Sequence, residues 1–109
     1  LLNQFAQKID LKQPFGVQFD GYFRAPSDGV YEFQIASTWG TTLLLGDNRK
    51  LIDDAGTADR KLRSTVVPLK AGLYKISIRY DHRGGEPHFR FRWGIKGQGL
   101  RQAYAEFVH

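Results

Sequence analysis

Cysteine and methionine are both absent from the 109 residues. Without cysteine there is no disulfide framework, no thiolate zinc site and no cysteine nucleophile. The compartment stays open, because exported and cytosolic domains alike can dispense with cysteine. Long apolar runs are missing too. None approaches the ~20 residues of a membrane-crossing helix, so Leu43-Leu44-Leu45 is no anchor and no membrane insertion is expected. The chain opens at Leu1-Leu2-Asn3 with neither an initiator methionine nor a signal-like segment. We expect a piece cut from a longer polypeptide whose targeting signal lies elsewhere.

Catalytic signatures are equally scarce. His82, His88 and His109 show no H-E-x-x-H or metal-triad spacing, and no G-x-S-x-G is present. A glycosidase needs two carboxylic acids set across a pocket, whereas the acids here fall mostly in turns or at outward strand positions. No enzyme is expected on this chain, and His88, at an exterior strand position, reads as a surface histidine.

What is present describes a folded domain. Hydrophobic residues make up 41% and charged residues 25%, which is too apolar for a disordered chain, and the length suits one domain. The net charge of +5 is uneven, with 5 basic against 8 acidic groups in residues 1–59 and 11 against 3 in residues 60–109. A basic half suits an acidic glycan, nucleic acid or simply a solvated face.

Apolar and polar residues alternate in Tyr31–Ile35, Tyr74–Tyr80 and Phe89–Trp93, as half-buried strands require. Turn chemistry separates them. Ala25-Pro26-Ser27-Asp28-Gly29 is expected to join strand 15–25 to strand 30–36 as a hairpin, and Gly46-Asp47-Asn48-Arg49 to join 41–45 to 50–53. Lys70-Ala71-Gly72 turns 64–69 into 73–80, and Gly84-Gly85-Glu86-Pro87 turns that strand into 88–93. Short strands at this spacing predict an all-β fold, a two-sheet antiparallel β-sandwich with barrel-like closure as a variant. Its expected core is Phe15, Val17, Phe19, Tyr31, Phe33, Ile35, Leu43, Leu45, Tyr74, Ile76, Ile78, Phe89, Phe91 and Trp93. Residues 1–14 read as a leading segment or linker, with a short helical spacing in 1–9, and 15–109 as one domain.

The run Phe19-Asp20-Gly21-Tyr22-Phe23-Arg24-Ala25-Pro26-Ser27-Asp28-Gly29-Val30-Tyr31-Glu32-Phe33 resembles the protective-antigen lectin-like (PA-fourteen) domain family. The resemblance continues through Leu43-Leu44-Leu45-Gly46-Asp47, Val67-Pro68-Leu69-Lys70-Ala71-Gly72-Leu73-Tyr74-Lys75-Ile76, and Arg79-Tyr80 to Phe89–Trp93. The closing run Trp93–Leu100 is similar to copies appended to bacterial β-hexosaminidase-like glycoside hydrolases. The resemblance implies a β-sandwich with a lectin-like or spacer role beside a catalytic domain. It also implies a calcium-dependent sugar site on an Asp-Asp pair directly after the serine that ends the Tyr-x-Phe strand. Here Ser37 is followed by Thr38-Trp39-Gly40-Thr41-Thr42, with no carboxylate. Calcium takes six to eight oxygen ligands, so no cofactor is expected.

Three groups of residues are candidates for contact. Trp39, with Thr38 and Thr41 beside it and Asp54 and Asp59 in the 53–61 loop, can meet a glycan, the indole stacking on a sugar face. The alternative is that Trp39 packs on a neighbouring domain or the sandwich rim. Asp47, Asp53 and Asp54 concentrate oxygen ligands as a calcium alternative, but lack D-x-D-x-D-G spacing and are ordinary turn formers. If strands 73–80 and 88–93 pair, Lys75 and Arg79 face His88, Arg90 and Arg92. Such a basic face suits an anionic glycan, nucleic acid or an acidic partner surface. Nucleic acid is disfavoured because Phe89 and Phe91 alternate with the arginines and point into the core. The expected function is a non-catalytic, carbohydrate-binding accessory module of a larger secreted, periplasmic or cell-surface glycoside hydrolase, partnered by its catalytic domain. The alternative is a structural or protein–protein interaction domain with no ligand.

Overall fold

The computed structural model describes residues 13–46, 49–102 and 107–108, so the helical spacing expected in 1–9 lies outside the described residues. The strands are β1 (Phe15–Ala25), β2 (Gly29–Ser37), β3 (Gly40–Leu45), β4 (Arg49–Asp54), β5 (Lys61–Leu69), β6 (Gly72–His82), β7 (Phe89–Ile95), β8 (Leu100–Gln102) and β9 (Phe107–Val108). They form a five-stranded sheet in the order β4-β3-β6-β1-β9 and a four-stranded sheet in the order β5-β2-β7-β8. All pairings are antiparallel. The protein is a two-sheet antiparallel β-sandwich.

Inward residues of both sheets fill the space between them, as alternation dictates. Phe23 is the hub: its ring meets those of Tyr31, Phe33 and Trp93 edge-on, at centroid distances of 5.8, 5.2 and 5.1 Å. Edge-to-face pairs of this kind add about 0.5–1.5 kcal/mol each beyond burial. Most of the expected core is buried, while Phe19, Tyr74 and Phe89 are partly buried against it and Phe15 lies at its margin. Phe23, Ala25, Ile52, Val67, Leu69 and Tyr80 join it.

The expected pairings need correcting. Only β3 and β4 form the predicted hairpin. The segments after β1, β5 and β6 carry hairpin-like turn residues, yet each crosses from one sheet to the other. At one end, Tyr31 Oη donates to the Ser27 carbonyl at 2.6 Å and Asp28 accepts from the Ala71 N–H at 2.7 Å, tying two crossovers together. The opposite end gathers three: Thr38-Trp39 between β2 and β3, residues 55–60 between β4 and β5, and 83–88 between β6 and β7.

Candidate functional site at the three-crossover end

Trp39 makes the sharp crossing from β2 to β3 with φ at +56°, the only non-glycine residue in left-handed backbone among those described. A β-carbon in that conformation costs roughly 1–2 kcal/mol, so the surroundings must hold it. They do so at every polar atom. The backbone N–H of Trp39 donates to the Thr57 carbonyl at 2.6 Å, and its own carbonyl accepts from Arg63 Nη2 at 2.9 Å. The indole Nε1–H donates to the Gly84 carbonyl at 2.9 Å. The half-buried ring has the Arg83 guanidinium 5.8 Å from its centroid, in cation–π range.

Arg63 is the clamp. It occupies an inward position of β5, in step with Val67 and Leu69, and is buried. Its Nε donates to Asp54 Oδ2 at 2.9 Å and its Nη1 to the Ser37 carbonyl, Ser37 Oγ and the Lys61 carbonyl at 3.1, 2.7 and 3.2 Å. One guanidinium therefore joins β2, β5, the end of β4 and Trp39, using the planar donor fork that lysine lacks. Asp54 also accepts from the Gly56 N–H at 2.9 Å and meets Lys61 Nζ at 3.3 Å. The Arg63 hydrogen bond first, then the Gly56 N–H, lowers its pKa to about 2. Gly56, at φ +66°, lies so close that a β-carbon there would collide with the Trp39 carbonyl.

Behind Trp39 runs a buried polar chain. His82 Nε2 lies 3.1 Å from the Gly85 carbonyl and must donate to it, leaving Nδ1 to accept the Tyr80 O–H at 3.0 Å. Tyr80 Oη in turn accepts from Thr38 Oγ1 at 2.8 Å, and Thr38 accepts the His88 N–H at 3.3 Å. The 83–88 crossover that holds the indole is thus itself tied to β6 and to the residue before Trp39.

The other expected site residues fall as follows. Thr38 and Thr41 are buried, and Thr41 donates its hydroxyl to the Arg79 carbonyl at 3.0 Å, so both serve the interior and present nothing to a sugar. Asp59 is exposed in the 55–60 crossover. Asp53 is exposed and 3.4 Å from Lys50, on the other side of β4 from Asp54. Asp47 lies outside the described residues. Among the described residues no three acidic, histidine or cysteine side chains come together as a metal centre. With Asp54 held by two cations and Thr38 committed internally, this end does not fit a calcium ion.

The expected single basic face is divided. β6 and β7 lie in different sheets, so Lys75 and Arg79 are opposite Tyr22 and Gln18, while Arg90 and Arg92 are opposite Ala36 and Gln34 on the far side of the sandwich. Among the described residues no row of like charges is opposed. His88 precedes β7 and is half-buried, a correction to its expected place on a strand surface. Its pKa is lowered by burial, then by the charges of Arg60 and Arg90. Those two arginines and Arg83 are exposed, and they outnumber the exposed acids Asp59 and Glu86 of the same crossovers. Arg63, Gly56 and Arg83 escaped the sequence reading. Alternation would have flagged Arg63, since Arg63, Thr65, Val67 and Leu69 share one face of β5.

A model of the PA14 domain matches residues 5–106. The chain belongs to the PA14 domain family. Solved structures agree on the fold. An anti-sigma factor domain-containing protein from Clostridium clariflavum superposes with a TM-score of 0.82 at 25% identity, covering 94% of this chain and 35% of that one. The PA14 sugar-binding domain from an RTX adhesin gives 0.76 at 16% identity, covering 88% and 54%. A subtype-switched epithelial adhesin 9 A domain from Candida glabrata, in complex with β-lactose, gives 0.73 at 15% identity, covering 89% and 51%. The chain thus spans between about a third and about half the length of these structures. No curated protein matches it.

Proposed function

We propose that this PA14 domain is a non-catalytic, glycan-binding accessory module of a larger exported glycoside hydrolase of the β-hexosaminidase-like kind, working beside the catalytic domain in a secreted, periplasmic or cell-surface setting. The observation that carries the glycan reading is the left-handed backbone of Trp39, fixed by partners on two crossovers and on β5. Strain persists where the surroundings over-determine it, and it clusters at ligand sites. A preorganised aromatic loses little entropy on stacking against a sugar. Two structures with this fold, the RTX adhesin domain named as sugar-binding and the adhesin A domain holding β-lactose, support the same ligand class.

In this reading the site takes its ligand without calcium. Arg83 lies over the Trp39 ring, and Arg60 and Arg90 are near His88, which favours acidic sugars, whose carboxylates take charge-assisted hydrogen bonds from guanidinium groups. Retention of the 109-residue chain on immobilised acidic oligosaccharides, compared between wild type and Trp39→Ala, tests this. We expect at least roughly ten-fold weaker retention for the variant, as loss of one aromatic stack implies. Equal retention would remove Trp39 from the site.

A structural role has its own support. Val30, Leu62 and Val66 point outward from β2 and β5 with 40%, 59% and 53% of their surface exposed, on the edge of the four-stranded sheet. This strip suits packing against a neighbouring domain. In the full-length protein it should gain hydrogen-exchange protection along β5 relative to the isolated chain.

A further inference from the structure

The outer face of the five-stranded sheet carries a second feature. Alternation places Gln18, Asp20 and Tyr22 of β1, Leu44 of β3 and Lys75, Ser77 and Arg79 of β6 on this face. The register sets Asp20 opposite Ser77, Tyr22 opposite Lys75 and Leu44 opposite Ser77. Ser77 is small and its neighbours are large, so the face has a groove of about 440 Å³ with Ser77 at its floor. That volume lies within the roughly 300–1,000 Å³ of small-molecule sites.

The groove's walls are chemically sorted. Gln18 Nε2 donates to both Asp20 oxygens at 3.2 and 2.9 Å, while Arg79 binds Asp81 through Nε at 3.1 Å and Nη2 at 2.8 Å. These contacts fix the Asp20 carboxylate as an acceptor and cancel the charge of Arg79. The side chains of Tyr22, Lys75 and Ser77 make no hydrogen bond to another described residue. Tyr22 is 39% exposed and Leu44 half-buried, which gives the groove an apolar wall.

We propose that this groove, lined by Gln18, Asp20, Tyr22, Leu44, Lys75 and Ser77, is a second binding site, for a neutral pyranose unit of a glycan. One carboxylate and one ammonium leave the groove without net charge, so a charged ligand gains nothing from it. A neutral sugar ring offers hydroxyls that donate to Asp20 and accept from Lys75, and a C–H face that lies on Tyr22. A peptide strand would need a free sheet edge to pair with, but β1 and β6 are both paired on either side.

The site stands apart from the Trp39 end, and one experiment separates them. The 109-residue chain and its Asp20→Asn, Tyr22→Ala, Ser77→Leu and Trp39→Ala variants are applied to a printed array of neutral and of uronate- or sialate-bearing oligosaccharides. Melting temperatures are measured alongside. We expect retention on neutral glycans to fall by at least about ten-fold in Asp20→Asn and Tyr22→Ala, and likewise in Ser77→Leu, which fills the floor. Trp39→Ala should leave neutral retention unchanged and reduce only acidic retention. Neutral retention that survives Asp20→Asn, Tyr22→Ala and Ser77→Leu, or that disappears in Trp39→Ala, would overturn the proposal. A wild-type chain that retains no neutral glycan would also overturn it, whatever becomes of the acidic ones.

Discussion

Replacing Arg63 by leucine should damage both the fold and the Trp39 end, by an amount the structure allows to be worked out. The side chain is buried and makes five hydrogen bonds, to Asp54, to the carbonyls of Ser37, Trp39 and Lys61, and to Ser37 Oγ. Removing one partner of a buried ion pair costs about 3–5 kcal/mol. Asp54 retains Lys61 and is 29% exposed at its side chain, so water relieves part of the loss. The expected cost is about 3 kcal/mol, or roughly 12–20 °C in melting temperature for a domain of this size. Urea denaturation should show a lower midpoint with an unchanged slope. Arg63→Lys should recover only part of the loss, because one ammonium cannot reach Asp54, Ser37 and Trp39 together. Iodide quenching reads the second effect: Trp93 is 1% exposed, so a rise in quenching reports Trp39 released from its left-handed conformation. A loss below about 1 kcal/mol, the level of an exposed ion pair, would refute the clamp. Large destabilisation with unchanged quenching would show that Arg63 supports the sheets without holding Trp39.

Gly56→Ala should cost about 2–4 kcal/mol by urea denaturation, since the methyl meets the Trp39 carbonyl as well as a left-handed φ. Gly46→Ala, at φ +69° with nothing within 4 Å of a β-carbon, should cost only the conformational share of about 1–2 kcal/mol. Asp54 has a folded pKa of about 2, below its ordinary 3.8. Its stabilisation is therefore complete above about pH 5 and lost as pH falls through 3.8 toward 2. After allowance for exposure it amounts to about 1–2 kcal/mol, and melting temperatures from pH 5 to 2 should fall less steeply in Asp54→Asn. Tyr80→Phe leaves Thr38 and His82 without their buried partner and should cost about 1–3 kcal/mol, with faster amide exchange in residues 83–88.

Most strand positions and nearly all of their facing were legible in the sequence, because period-2 alternation states directly which side chains point inward. Which strands pair was not. Pro26-Ser27-Asp28-Gly29 and Gly84-Gly85-Glu86-Pro87 carry the same proline and glycine preferences whether the chain folds back beside itself or steps across to the other sheet, since local φ and ψ demands are met either way. That ambiguity produced the supposed basic face. Once β6 and β7 part, Arg79 and Arg90 lie on opposite sides of the sandwich. Trp39 was legible as an unusual residue at a sheet end, and its partners were not. Arg63 comes from 24 positions later and the Gly84 carbonyl from 45, separations that no local pattern encodes.

The strain at Trp39 follows from that topology. β2 ends in one sheet and β3 begins in the other after only two residues, Thr38 and Trp39. So short a step between sheets about 10 Å apart needs a sharp reversal, which glycine would supply at little cost. The sequence has a tryptophan there, and glycine sits instead at 40 and 56, where the chain packs against it. Gly40 lets the Asp54 and Ala55 carbonyls come to within 3.5 and 3.3 Å of where a β-carbon would stand. The space that these glycines leave is filled by the backbone of the 54–55 segment and of Trp39 itself, while the indole is held separately by the Gly84 carbonyl. Trp39→Gly removes the left-handed penalty of about 1–2 kcal/mol but loses one indole hydrogen bond of about 1 kcal/mol and the apolar contact of a half-buried ring, worth about 1.5 kcal/mol or more, so the variant should be somewhat less stable. Lost retention on acidic glycans in that variant, at a temperature where its melting curve shows it still folded, is the signature of a residue that serves contact as well as folding.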